Sequence, residues 1–198
     1  MKKLLTVIAV CTTMTGLVLS QGISGSDHDF NWATEVCQPC HTPHNASAEP
    51  NAPLWNHELT VATFDPYASS FLDATVGQPA GVSKLCLSCH DGTVAADNYG
   101  GTTNGNQFLS GGEMLGTNLT DDHPISFTYD AALATTDGGL HDPTQVNSGL
   151  GGTIAQDMLE NNTMQCSSCH DVHDEAGNSK LLVINNNNSA LCLTCHDK

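Results

Sequence analysis

Basic side chains are scarce in this chain: five lysines stand against 21 acidic residues over 198 positions, a formal charge of −16. Two of the five, Lys2 and Lys3, precede an apolar stretch from Leu4 to Leu19 that closes in Val18-Leu19-Ser20. A short basic start, an apolar middle and a small-residue end read as a secretory signal peptide over residues 1–20. The chain is therefore expected to be exported, to the periplasm or the cell exterior. Thr12, Thr13, Thr15 and Gly16 interrupt the stretch, which is also short for a membrane span. Cys11 follows Val10, a bulky residue where a lipoprotein signal carries a small one, which argues against a lipid anchor. From Gln21 onward only Lys84, Lys180 and Lys198 remain, and the formal charge falls to −18. Nucleic acid and anionic membrane surfaces are excluded as natural partners.

Large apolar residues are equally few. Leu, Ile, Val and Phe make up 33 of the 178 residues from Gln21 onward, below the roughly 20% that, with high net charge, marks chains unable to bury enough surface to fold. Either the chain is disordered or something other than protein supplies its core. The cysteines decide between the two.

Every cysteine after the first twenty residues belongs to one pattern: Cys37-Gln-Pro-Cys40-His41, Cys86-Leu-Ser-Cys89-His90, Cys166-Ser-Ser-Cys169-His170 and Cys192-Leu-Thr-Cys195-His196. These four frames, I to IV in chain order, have the spacing of covalent haem c attachment. Two thiols separated by two residues reach the two vinyl groups of one porphyrin edge, and the next histidine swings under the plane as proximal ligand. Disulfides would need no histidine after each pair. Zinc sites would need a second ligand half, and a thioredoxin-like redox pair would need a βαβ pattern. Four haems at about 45 residues each would make the porphyrins the hydrophobic centre and the polypeptide a thin wrapping, leaving the haem-free chain largely unfolded.

The frames form a doubled unit. Frame I extends to Thr-Pro-His44 and frame III to Asp-Val-His173, whereas frames II and IV share the form Leu-Cys-Leu-x-Cys-His-Asp. Residues 21–198 are thus expected to be one tetrahaem domain, with two-haem halves over about 21–97 and 160–198 joined by a Gly/Asn-rich segment. The expected fold is mostly irregular, with short α-helices at the frames, little β and the chain wrapped around a stack of four haems. Residues 154–159 could form one helical turn or two.

Whether such a protein conducts or catalyses depends on the sixth position of each iron. His28, His44, His57, His123, His141 and His173 lie outside the frames, enough to close four irons with a second histidine and give low-potential haems. His44 and His173 trail a proximal histidine by three residues, too near to reach the opposite face of the same haem, so each would serve a neighbouring one. His57 follows Trp55, a ring able to lie flat on a porphyrin, and His123 is presented rigidly before Pro124. His28 sits on an N-terminal arm. These five are the distal candidates; His141, in Asp137-Gly-Gly-Leu-His141-Asp-Pro143, reads as a solvated turn. Met114, Met158 and Met164 are fallback ligands. Closed irons imply an electron carrier, and an open one a multihaem reductase; no frame carries the lysine variant found in some multihaem reductases.

The segments Cys37 to Asn45, Pro53 to His57, Lys84 to Ala95, Asp122 to Phe127 and Ser189 to Asp197 resemble the doubled-CxxCH multihaem cytochromes. Within these, the chain is most similar to the OmcE-type tetrahaem cytochromes that polymerise into extracellular conducting filaments in metal-respiring bacteria. The likeness is weakest from Gly100 to Leu119 and from Ala131 to Gln156. It implies bis-histidine haems in an unbroken stack and electron exchange with other c-type cytochromes and extracellular or periplasmic acceptors. It further implies a homopolymer in which an N-terminal histidine, here His28, reaches a haem of the next subunit.

Overall fold

A computed structural model describes residues 22–49 and 52–198. The signal peptide read over 1–20 lies outside the described residues. Among those described, no helix is long and apolar enough to cross a membrane. The described residues are mostly irregular, with four short α-helices, four three-residue 3-10 helices and two two-stranded ribbons.

Strand β1 (Ser47–Glu49) pairs antiparallel with β2 (Ala52–Trp55), and β3 (Phe127–Thr128) with β4 (Thr163–Met164). Helix α1 (Gly81–His90) holds the whole of frame II. Its Cys86, Cys89 and His90 stand at i, i+3 and i+4, which brings both sulfurs and the imidazole onto one helical face. Leu85 and Leu87 are buried on other sides of the same helix. Helix α4 (Ala190–Cys195) presents Cys192 and Cys195 in the same way and ends one residue before His196.

The Gly/Asn-rich middle, expected as connecting loop apart from a turn or two of helix over 154–159, carries two helices. In α2 (Ala131–Asp137) the Asp130 carboxylate accepts the Leu133 N–H at 2.9 Å, and Gly138 at φ 70° closes the C-terminus. In α3 (Ile154–Asp157), a single turn, the Thr153 hydroxyl and Gln156 amide cap each other's backbone. These helices and the β3–β4 ribbon build the largest apolar cluster. Phe127, Tyr129, Ile154, Met158, Leu159 and Met164 pack there with Leu191 and Cys195 of α4. Two smaller clusters lie toward the other half, Ala52, Trp55 and Leu85 in one, Phe64, Leu87 and Leu119 in the other.

Tyr129 links the main cluster to frame IV. Its ring is 1% exposed, and its hydroxyl donates to the His141 carbonyl at 2.7 Å and, at 3.3 Å, to that of Cys195. Tyr129→Phe should lower stability by about 1–2 kcal/mol, read as a drop in denaturant midpoint. Phe71→Ser, at a side chain 91% exposed, should change it by no more than about 0.5 kcal/mol.

Candidate haem-binding site

Each frame is one helical turn. The backbone N–H of the histidine donates to the carbonyl of the first cysteine in frame I (His41 to Cys37, 2.8 Å), frame III (His170 to Cys166, 3.0 Å) and frame IV (His196 to Cys192, 3.0 Å); in frame II both residues lie within α1. The turn alone leaves the imidazole free to rotate. A distant strap of backbone stops it. His41 Nδ1 donates to Pro53 O at 2.8 Å, His90 Nδ1 to Glu113 O at 2.6 Å and His170 Nδ1 to Lys180 O at 2.9 Å. Held by Nδ1, these rings keep Nε2 for a metal, the arrangement that orients and strengthens imidazole ligands.

The straps of frames I and III run in the same register. The N–H after the histidine donates to the next strap carbonyl, Thr42 to Leu54 and Asp171 to Leu181. The strap returns a bond to the second cysteine, Asn56 N to Cys40 O and Val183 N to Cys169 O. Leu54 and Leu181 both take positive φ, 62° and 56°. The doubling written in the frames therefore extends to segments that share little sequence beyond a leucine. Frame IV keeps two of these bonds, Asp197 N to Gly139 O and His141 N to Cys195 O, so His141 serves by its backbone.

The frames are neighbours in chain order. Burial first, and then Cys40, pushes the Cys89 thiol up to about 12; burial, and then Cys169, pushes Cys195 up to about 11. Cys40 is likewise raised to about 11 by burial, then by Cys37. Cys86 and Cys166 act on each other, which raises the first thiol and lowers the second. The eight cysteines among the described residues are free.

Three frame histidines have a second imidazole nearby. Ring centroids are 6.1 Å apart for His90 and His28, 6.4 Å for His41 and His173, and 6.4 Å for His196 and His123. Two imidazoles that shared one iron through bonds of about 2.0 Å, with a ring radius of about 1.1 Å, would have centroids about 6.2 Å apart. His28 Nδ1 is buried without a hydrogen-bond partner, unlike Nδ1 of His41, His90 and His170. Burial, then His90, holds His28 below its usual value; burial, then His123, does so for His196. Both stay neutral, the form that ligates metal. No group of three or more His, Cys, Asp or Glu among the described residues could hold an ion by itself. Paired imidazoles beside paired thiols fit iron whose remaining four bonds come from a porphyrin.

The other candidates sit differently. His44 is exposed beside Thr42, three residues from His41. His57 is 3% exposed, with Nδ1 against Glu58 O at 2.7 Å and Nε2 against Ala95 O at 3.1 Å and Cys89 Sγ at 3.4 Å. Trp55 meets His41 edge-on, centroids 6.5 Å apart. Met158 and Met164 are core residues and Met114 is exposed. The arm bearing His28 is seated by Phe30, stacked on Trp32 at 4.7 Å, which in turn stacks on Tyr99 at 6.2 Å. Sequence reasoning missed the strap carbonyls, since a carbonyl leaves no residue-type signal.

Residues 160–198 match the family model described as the doubled CXXCH motif. No curated protein matches the chain. The motif indicates covalently bound haem c and supports a multihaem c-type cytochrome in electron transfer, a class exported for haem attachment. Cys86→Ala with Cys89→Ala should remove one haem mass in intact-mass spectrometry of matured protein and leave the others; an unchanged haem mass would contradict attachment at frame II.

Proposed function

We propose that the protein conducts electrons through four covalent haems, one per frame, each closed on both faces by histidine. The observation that carries this reading is the spacing of the three imidazole pairs, 6.1 to 6.4 Å. His41 pairs with His173, His90 with His28 and His196 with His123. The fourth pair is His170 with His44, from the common register of straps I and III: if His173 of unit III serves His41, His44 of unit I stands to serve His170. His57, with Nε2 engaged, is left to hold its segment against frame II.

A bound haem supplies one-electron chemistry at low potential when two histidines ligate it. The protein's part is to fix ligand planes through Nδ1, exclude a sixth-site substrate and keep the frames adjacent. A formal charge of −18 from Gln21 onward directs docking toward positively charged surfaces of other c-type cytochromes or of periplasmic and extracellular acceptors. The filament implied by resemblance requires His28 to leave its own chain. Its place beside His90 within one chain, with like-charge repulsion between copies, favours a discrete exported carrier.

The ferric protein should be wholly low-spin and bind no carbon monoxide when reduced. His123→Ala, His173→Ala and His44→Ala should each turn about a quarter of the haem high-spin and CO-reactive, while His57→Ala and His141→Ala should not. A wild-type protein that binds CO readily would replace this reading with a reductase. An opened haem in His57→Ala, with none in His44→Ala, would move the fourth pair to His57.

A further inference from the structure

Frames II and III stand in different halves of the sequence, yet helix α1 is in contact with the turn of frame III, and the bonds that hold them there come from side chains outside the two frames and from a serine within frame III. Helix α1 begins without a local cap: Ala80 offers no side-chain acceptor, which would leave first-turn N–H groups orphaned in a buried place. Gln165, the residue before Cys166, fills that role from the other half. Its Oε1 accepts the Ser83 N–H at 3.1 Å, the Ser83 hydroxyl, and the Ser126 hydroxyl at 3.3 Å. Ser83 Oγ in turn accepts the N–H of Cys166 at 3.0 Å, and Ser168 Oγ accepts that of Gln165 at 2.9 Å. Ser83, Ser168 and Gln165 are 0%, 1% and 5% exposed. Ser83 lies one turn before Cys86 on the same face of α1.

We infer that Gln165 and Ser83 form a clamp that sets the separation of frames II and III, and with it the electron step between the two halves of the chain. Polar groups bonded to each other in so dry a place have one arrangement and few alternatives, so the clamp acts as a ruler. An apolar contact would let the helix slide. Gln165 touches neither sulfur nor imidazole and is a positioning residue. Its effect passes through Ser83 to Cys86 on one side and through the chain to Cys166 on the other. The inference rests on the reading that the frames carry haems exchanging electrons.

The test uses matured, haem-loaded protein carrying Gln165→Leu or Ser83→Ala, with Ser148→Ala as control. Ser148 is a serine 2% exposed, bonded to Asp157 away from both frames. Haem mass and low-spin spectrum should be unchanged in all three. The circular dichroism couplet of the main haem band, which reads how adjacent porphyrins are mutually disposed, should diminish in either clamp variant and persist in Ser148→Ala. Electron redistribution among the haems after partial reduction should slow in the same two. If Gln165→Leu yields no holoprotein, Ser83→Ala decides. A wild-type couplet and rate in the clamp variants, or equal losses in Ser148→Ala, would overturn the clamp. Failure of the underlying reading would show instead in the unsubstituted protein, as CO binding.

Discussion

An imidazole placed after a Cys-x-x-Cys turn is useful to a metal only if one nitrogen is free and the ring plane is held, and a single helical turn cannot hold it. The bond from Nδ1 to a remote carbonyl does so, and it dictates how the chain runs. Each strap must pass its frame in a fixed register and then leave. Pairing is accordingly one residue long where frames meet straps, at His41 with Trp55, His170 with Leu182 and Leu140 with His196. A chain that returns to several short turns has little length left for regular sheet or helix. The irregular fold follows from the orientation of its histidines.

The same economy governs stability. A fully buried large apolar side chain contributes about 1.5–3 kcal/mol, and the described residues bring few together. The main cluster gathers around frame IV and draws on the middle segment; near frames I and II there are only small groups about Trp55 and Phe64. The first half therefore depends more on what its cysteines carry. Buried polar bonding compensates in part, as where the Asp91 carboxylate, 4% exposed, accepts from the Thr60 hydroxyl and from Thr93. That network sits directly after His90, so stiffness is concentrated beside a frame.

The frames and their doubling were legible because covalent attachment imposes residue type and spacing together. Five distal candidates were legible as histidines, but not their neighbours: the approach of His173 to His41 spans 132 positions and depends on packing. The single turn α3 was legible within residues 154–159, whereas α2, at seven residues, read as loop because it is too short to display a helical period, although Asp130 and Gly138 are recognisable ends in retrospect. Gln165 left no trace, being an ordinary glutamine whose partner is 82 residues away. Trp55 stands edge-on to His41, a contact between rings 14 positions apart that its residue type alone did not indicate.

The central claim is that haem attachment organises this chain. It is tested most directly by producing residues 21–198 without haem and following amide hydrogen exchange at Leu87, Tyr129 and Ile154, all buried here, alongside thermal unfolding. The account predicts rapid exchange at all three and no cooperative transition. Protected amides with a sharp transition in the haem-free chain would contradict it.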